Sequence, residues 1–88
     1  MINYNTMKKE IKYPAPITFK SVFVDHPDIS HTIRSIFIEH KIECRVTHRF
    51  SKNSKFVSYT ISAEFASESD LNDICAGISA IQGFIMMF

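Results

Sequence analysis

Residues 43–65 read ECRVTHRFSKNSKFVSYTISAEF. Successive side chains of a strand point to opposite faces, so every second residue shares a surface. From Glu43 to Ser51 the pattern alternates strictly. Cys44, Val46, His48 and Phe50 fall on one face, and Glu43, Arg45, Thr47 and Arg49 on the other. Lys52-Asn53-Ser54-Lys55 is a polar turn. From Phe56 to Phe65 the alternation resumes, with Val57, Tyr59, Ile61 and Ala63 set against Phe56, Ser58, Thr60, Ser62 and Glu64. Two such runs about a short turn predict an antiparallel hairpin with one buried and one wet face.

Either side of the hairpin the period changes to that of a helix. Upstream, Ile29, Ile33, Ile36 and Phe37 form one stripe, predicting a helix over about Pro27 to His40. Asp25 or His26 is expected at its cap, and Pro27 suits a first turn whose amides lack partners. Asp28 favours the positive end of that helix, and His40 and Lys41 the negative end. Downstream, Leu71, Ile74, Cys75 and Ile78 form a second stripe, opened by the cap Ser67-Glu68-Ser69-Asp70 and ended by Gly83.

A strand lies beyond each helix. Ile17 to Val24 places Ile17, Phe19 and Phe23 on one face and Thr18, Lys20, Val22 and Val24 on the other. Tyr13-Pro14-Ala15-Pro16 is an extended entry to it, because proline fixes φ and lacks an amide donor. Phe84 to Phe88 is a fourth strand, apolar on both faces. The order is therefore β-α-β-β-α-β. Right-handed crossovers then predict an α/β (α+β) two-layer sandwich of ferredoxin-like topology. Its antiparallel four-stranded sheet has the order 4-1-3-2, with both helices on one face.

Eighty-eight residues suffice for one domain and not two. Met1 to Lys12 is expected to be a mobile arm and residues 13–88 the domain. The polar N-terminus lacks the apolar core of a signal peptide. The apolar run GFIMMF is far shorter than the ~20 residues of a membrane helix. Cys44 and Cys75 form no framework, so a soluble cytoplasmic protein with reduced thiols and no membrane attachment is expected.

The net charge of +1 argues against a dedicated nucleic-acid binder. Charge is nevertheless segregated. Lys41, Arg45, Arg49, Lys52 and Lys55 crowd the hairpin, with Glu43 among them, whereas Glu64, Glu68, Asp70 and Asp73 follow it.

No chemistry-bearing constellation emerges. His40, Cys44 and His48 are spaced by four, but four residues of strand separate Cys44 from His48 by ~13 Å. Zinc bonds of about 2.0–2.3 Å do not span that distance, so no metal or other cofactor is expected. Cys75 lies in an apolar stripe where a thiol is inert. No base is placed beside either cysteine, and enzyme activity is not expected. RNA recognition on the open sheet face needs two or three exposed aromatics. Only Phe56 qualifies, because Thr18 occupies the stacking position of the first strand; Lys20, Arg45 and Arg49 remain as phosphate contacts.

Two places attract a binding reading. The topology brings Asp25, His26 and Asp28 to the same end of the sheet as Lys52, Lys55 and Gly83, a polar cluster suited to a small metabolite. Phe84, Ile85, Met86, Met87 and Phe88 form an edge strand that cannot bury every side chain. Such an edge needs the N-terminal arm, a protein partner or a second copy in a homodimer to cover it.

Tyr13-Pro14-Ala15-Pro16-Ile17-Thr18-Phe19-Lys20 resembles the opening of the YbeD-like family of small bacterial proteins. The likeness continues through Ser51-Lys52, Val57-Ser58-Tyr59-Thr60-Ile61-Ser62-Ala63 and the apolar C-terminus. It implies a cytosolic ferredoxin-like domain, and no known catalytic residues, none being established for the family. That fold is similar to the ACT domain, a regulatory module that binds amino acids, often with Asp-x-Pro-Gly-x-Leu at the first strand-to-helix turn. Here Asp25-His26-Pro27-Asp28 keeps the aspartate and proline, and Asp28 replaces the glycine, adding a side chain and a charge. The resemblance therefore implies a regulatory or adaptor module, with the turn as scaffold first and ligand site second.

Overall fold

A computed structural model of the chain describes residues 11–88. Residues 1–10, most of the expected N-terminal arm, lie outside the described residues. The elements run β1 (Ala15–Val24), α1 (Ile29–Glu39), β2 (Cys44–Phe50), β3 (Phe56–Phe65), α2 (Glu68–Ser79) and β4 (Phe84–Met87). The sheet order is β2-β3-β1-β4, with antiparallel pairing throughout. This is the predicted ferredoxin-like sandwich, the 4-1-3-2 order read from the opposite edge.

The strand period decides what is buried. Phe19 and Phe23 of β1 and Val57, Tyr59, Ile61 and Phe65 of β3 face the helices. They meet Ile29, Ile33 and Phe37 of α1 and Ile74 and Ile78 of α2, which make the apolar stripes of both helices the core. Phe23 sits edge-on to Tyr59, with ring centres 5.8 Å apart. A Cβ on Gly77 would lie 3.3 Å from Cγ2 of Ile36, so the small residue lets α2 approach α1 closely. β2 is the exception to the pattern. Of its inner residues Val46 is buried, whereas His48 and Phe50 are exposed, His48 packing against Phe50 and Tyr59.

Several boundaries differ from expectation. β1 begins two residues early, at Ala15, and therefore includes Pro16. The bonds between Lys20 and Phe88 show that even-numbered residues of β1 direct their backbone groups towards β4. Pro16 thus withholds a donor on the side where β4, which pairs no lower than Lys20, offers it no partner. α1 begins at Ile29, and its cap is Asp28 in the left-handed region at φ 72°, not Asp25 or His26. α2 stops at Ser79, before Gly83; the glycine, at φ 87°, instead turns the chain into β4. β4 ends at Met87, although Phe88 still exchanges two backbone bonds with Lys20. The Ser67 cap forms as expected, its Oγ accepting from the Asp70 amide at 3.1 Å.

No helix among the described residues is long and apolar enough to cross a membrane.

Candidate functional site

The upper end of the sheet gathers the predicted polar cluster through backbone bonds. The Asp25 amide donates to the Lys55 carbonyl at 3.0 Å, and the Val24 amide to that of Gly83 at 2.8 Å. Asp25, Asp28, Lys52 and Lys55 are exposed. Lys52 and Lys55 ride on a turn that Asn53 holds, its Oδ1 accepting from the Lys55 amide and the Ser51 hydroxyl. Lys55 Nζ lies 5.8 Å from the centre of the Phe56 ring.

His26 is committed to the scaffold. Nδ1 lies 2.8 Å from the Pro27 carbonyl oxygen and Nε2 lies 2.6 Å from that of Gln82. Carbonyl oxygens only accept, so a singly protonated ring satisfies one of these and a doubly protonated ring both.

Beside this turn a depression of about 450 Å³ opens between the start of α1 and the first half of β3. His26, Asp28, Ser30, His31, Arg34 and Tyr59 line it. The first bond of α1 runs from the Thr32 amide to the Asp28 carbonyl at 2.9 Å. The amides of Ile29, Ser30 and His31 therefore precede the helical ladder, at its positive end. The Asp28 side chain makes no capping bond and the first turn of the helix carries no acidic residue. Tyr59 is only 5% exposed, yet its phenol borders the depression. Burial, and then the Asp25 carboxylate, push its ionisation above the usual value of 10.0, so it remains an O–H donor throughout the neutral range. Arg34 Nη2 also donates to the Val46 carbonyl at 3.3 Å on the outer edge of β2. Tyr59, His31 and Arg34 escaped the reading of the sequence, because alternation alone marks Tyr59 as core and the helical stripe omits both cations.

The predicted interface residues divide by face. Phe84 and Met87 turn towards the helices and are half-buried, Phe84 edge-on to Phe23. Ile85, Met86 and Phe88 are exposed, Phe88 at 65%. A register shift between Val22 and Phe23 accommodates Ile85.

Both thiols are free and half-buried, and burial raises their ionisation; at Cys44 the nearby Arg34 partly offsets the effect. Among the described residues no group of three or more His, Cys, Asp or Glu is placed to hold a metal ion.

Residues 8–88 match the family model described as protein of unknown function (DUF493). The chain belongs to the DUF493 family. This is the YbeD-like family that the first block of β1 resembles. A solution structure of HP0495 from H. pylori superposes with a TM-score of 0.81 at 21% identity, covering 100% of this chain and 96% of that one. A second solution structure of HP0495 from Helicobacter pylori, a hypothetical protein, gives 0.60 at 20% identity over 93% and 99%. The de novo designed protein Ferredog-Diesel gives 0.54 at 8% identity over 92% and 91%. At these identities the likeness concerns the fold alone. Among curated proteins, none matches the chain.

Proposed function

We propose that this DUF493 domain is a non-catalytic, cytoplasmic binding module of ACT-like regulatory type. In this reading it takes a small zwitterionic metabolite, such as an amino acid, at the start of α1. The observation that carries the reading is Tyr59, a nearly buried phenol bordering a depression whose other wall is the amino end of a helix. Arg34, His31 and the leading amides of α1 supply donors for a carboxylate, and Asp28 supplies an acceptor for an ammonium group. Lys52 and Lys55, at the same end, add a positive field without lining the depression. Thermal unfolding of the chain with individual amino acids tests the reading. A stabilising ligand raises Tm in a concentration-dependent way, since binding to the folded state alone shifts the equilibrium. A Tm unmoved by every amino acid argues against it.

A second reading rests on a separate observation. Among the described residues, Ile85, Met86 and Phe88 at the β4 edge and Val24 on the neighbouring β1 are large exposed hydrophobics. That concentration suits a second copy of the chain docking along β4, as an edge strand free of charged side chains permits.

A further inference from the structure

The open face of the sheet carries an arrangement that the site at α1 does not use. Strand register sets three rows across it. Thr18 lies beside Ser62 and Ser62 beside Arg45; Lys20 beside Thr60 and Thr60 beside Thr47; Val22 beside Ser58 and Ser58 beside Arg49. The row of Val22 continues to Met86 on β4, and Phe88 meets Lys20 through paired backbone bonds. Lys20, Arg45 and Arg49 are all exposed. The three rows contain no carboxylate; Glu64 lies one row below them, opposite Pro16, and Glu43 shares a depression with Thr18, Arg45 and Ser62. Hydroxyls fill the centre, where Thr18 Oγ1 and Ser62 Oγ share a hydrogen bond of 2.8 Å. Lys52 and Lys55 extend the same charge beyond the upper end, whereas Glu68, Asp70 and Asp73 belong to α2 on the opposite layer. The upper part of the open face is thus cationic, with Glu43 and Glu64 at its lower end and the acidic helix α2 on the opposite layer.

We propose that this open face docks an acidic polypeptide segment. Its carboxylates would meet Lys20, Arg45 and Arg49, and its apolar side chains would meet Val22, Met86 and Phe88. Charge complementarity identifies the partner. The central hydroxyls distinguish it from single-stranded nucleic acid, which needs aromatic platforms at the middle of the sheet. Phe56 and Phe88, the aromatics on this side, stand at its margins. The inference is independent of the site at α1, which lies on the helix side of the sheet.

The test is an amide chemical-shift titration of the full chain with poly-glutamate, and separately with poly-uridylate, at low and high salt. Poly-glutamate is expected to shift the amides of Thr18 to Val22, Arg45 to Arg49 and Ser58 to Ser62 saturably, with loss of binding at high salt. The double variant Arg45→Gln, Arg49→Gln should bind at least ~10-fold more weakly with its spectrum otherwise intact, whereas Lys41→Asn, in the turn before β2 and outside the three rows, should bind as the parent does. Three results would overturn the proposal. They are tighter binding of poly-uridylate, shifts unaffected by the double variant, and self-association through α2 in place of peptide binding.

Discussion

His26 Nε2 lies 2.6 Å from the carbonyl oxygen of Gln82, tying the turn that leaves β1 to the turn that enters β4. Gly83 makes the approach possible. At φ 87° it adopts a conformation that disfavours a side chain, and a Cβ there would lie 3.0 Å from the Val24 carbonyl oxygen and 3.2 Å from His26 Cδ2. Gly83→Ala is therefore expected to cost at least ~1–2 kcal/mol, the penalty of the left-handed region alone. His26→Ala is expected to cost about 1 kcal/mol for the lost bond. Urea midpoints measure both, and an unshifted midpoint for Gly83→Ala would contradict the placement of the turn.

Ser21 presents the opposite case. It is fully buried among Phe19, Phe23 and the helices, and its Oγ has no hydrogen-bond partner. An unsatisfied buried hydroxyl costs roughly 1–3 kcal/mol. Ser21→Ala removes that cost with almost no change in volume, so a gain of up to about 1 kcal/mol is expected in urea unfolding. A clear loss would mean that the hydroxyl is bonded in solution.

Alkaline pH should destabilise the fold. Burial raises the ionisation of Cys44, Cys75 and Tyr59 above their usual values of 9.0 and 10.0. Each group is neutral when protonated and stays protonated longer in the folded chain than in the unfolded one. Its contribution is therefore fully present below the usual value and is lost as pH rises through the raised folded value. Urea midpoints should fall between about pH 8 and about pH 11, and Tyr59→Phe or Cys75→Ala should flatten the fall. Equal slopes for parent and variants would exclude these groups as its source.

The exposed end of β4 makes a further prediction. If a second copy docks there, mass measured by sedimentation rises with concentration, and Met86→Lys restores the monomer by placing a charge in the contact. A monomer at every concentration removes the second copy as occupant.

Much of the fold was legible because periodicity reports burial directly. Val57, Tyr59, Ile61 and Phe65 alternate along β3 and are all buried. Ile29, Ile33 and Phe37 fall on one stripe of α1 and are all buried too. The lapses occur where tertiary contacts overrule local signals. Asp25 and His26 resemble caps, yet the histidine is drawn away to the Gln82 carbonyl and Asp28 takes the cap position in a left-handed conformation. Pro16 looks like a strand breaker, yet β4 does not pair alongside it, so its missing donor costs nothing. The candidate site was legible only in part. Its turn is local in sequence, but Tyr59 and Arg34 reach it through the pairing of β3 and the packing of α1, which no spacing encodes.

The small-molecule site proposed at the start of α1 rests on Tyr59 and Arg34. An amide chemical-shift titration of isotope-labelled chain with pooled amino acids, compared with Tyr59→Phe and Arg34→Gln, tests it most directly. The predicted result is saturable shifts confined to His26 through Arg34 and to Tyr59, weakened roughly 10-fold by either substitution, as expected for one lost charge-assisted or buried bond. Unmoved amides across that segment, or shifts that both variants retain in full, would contradict it.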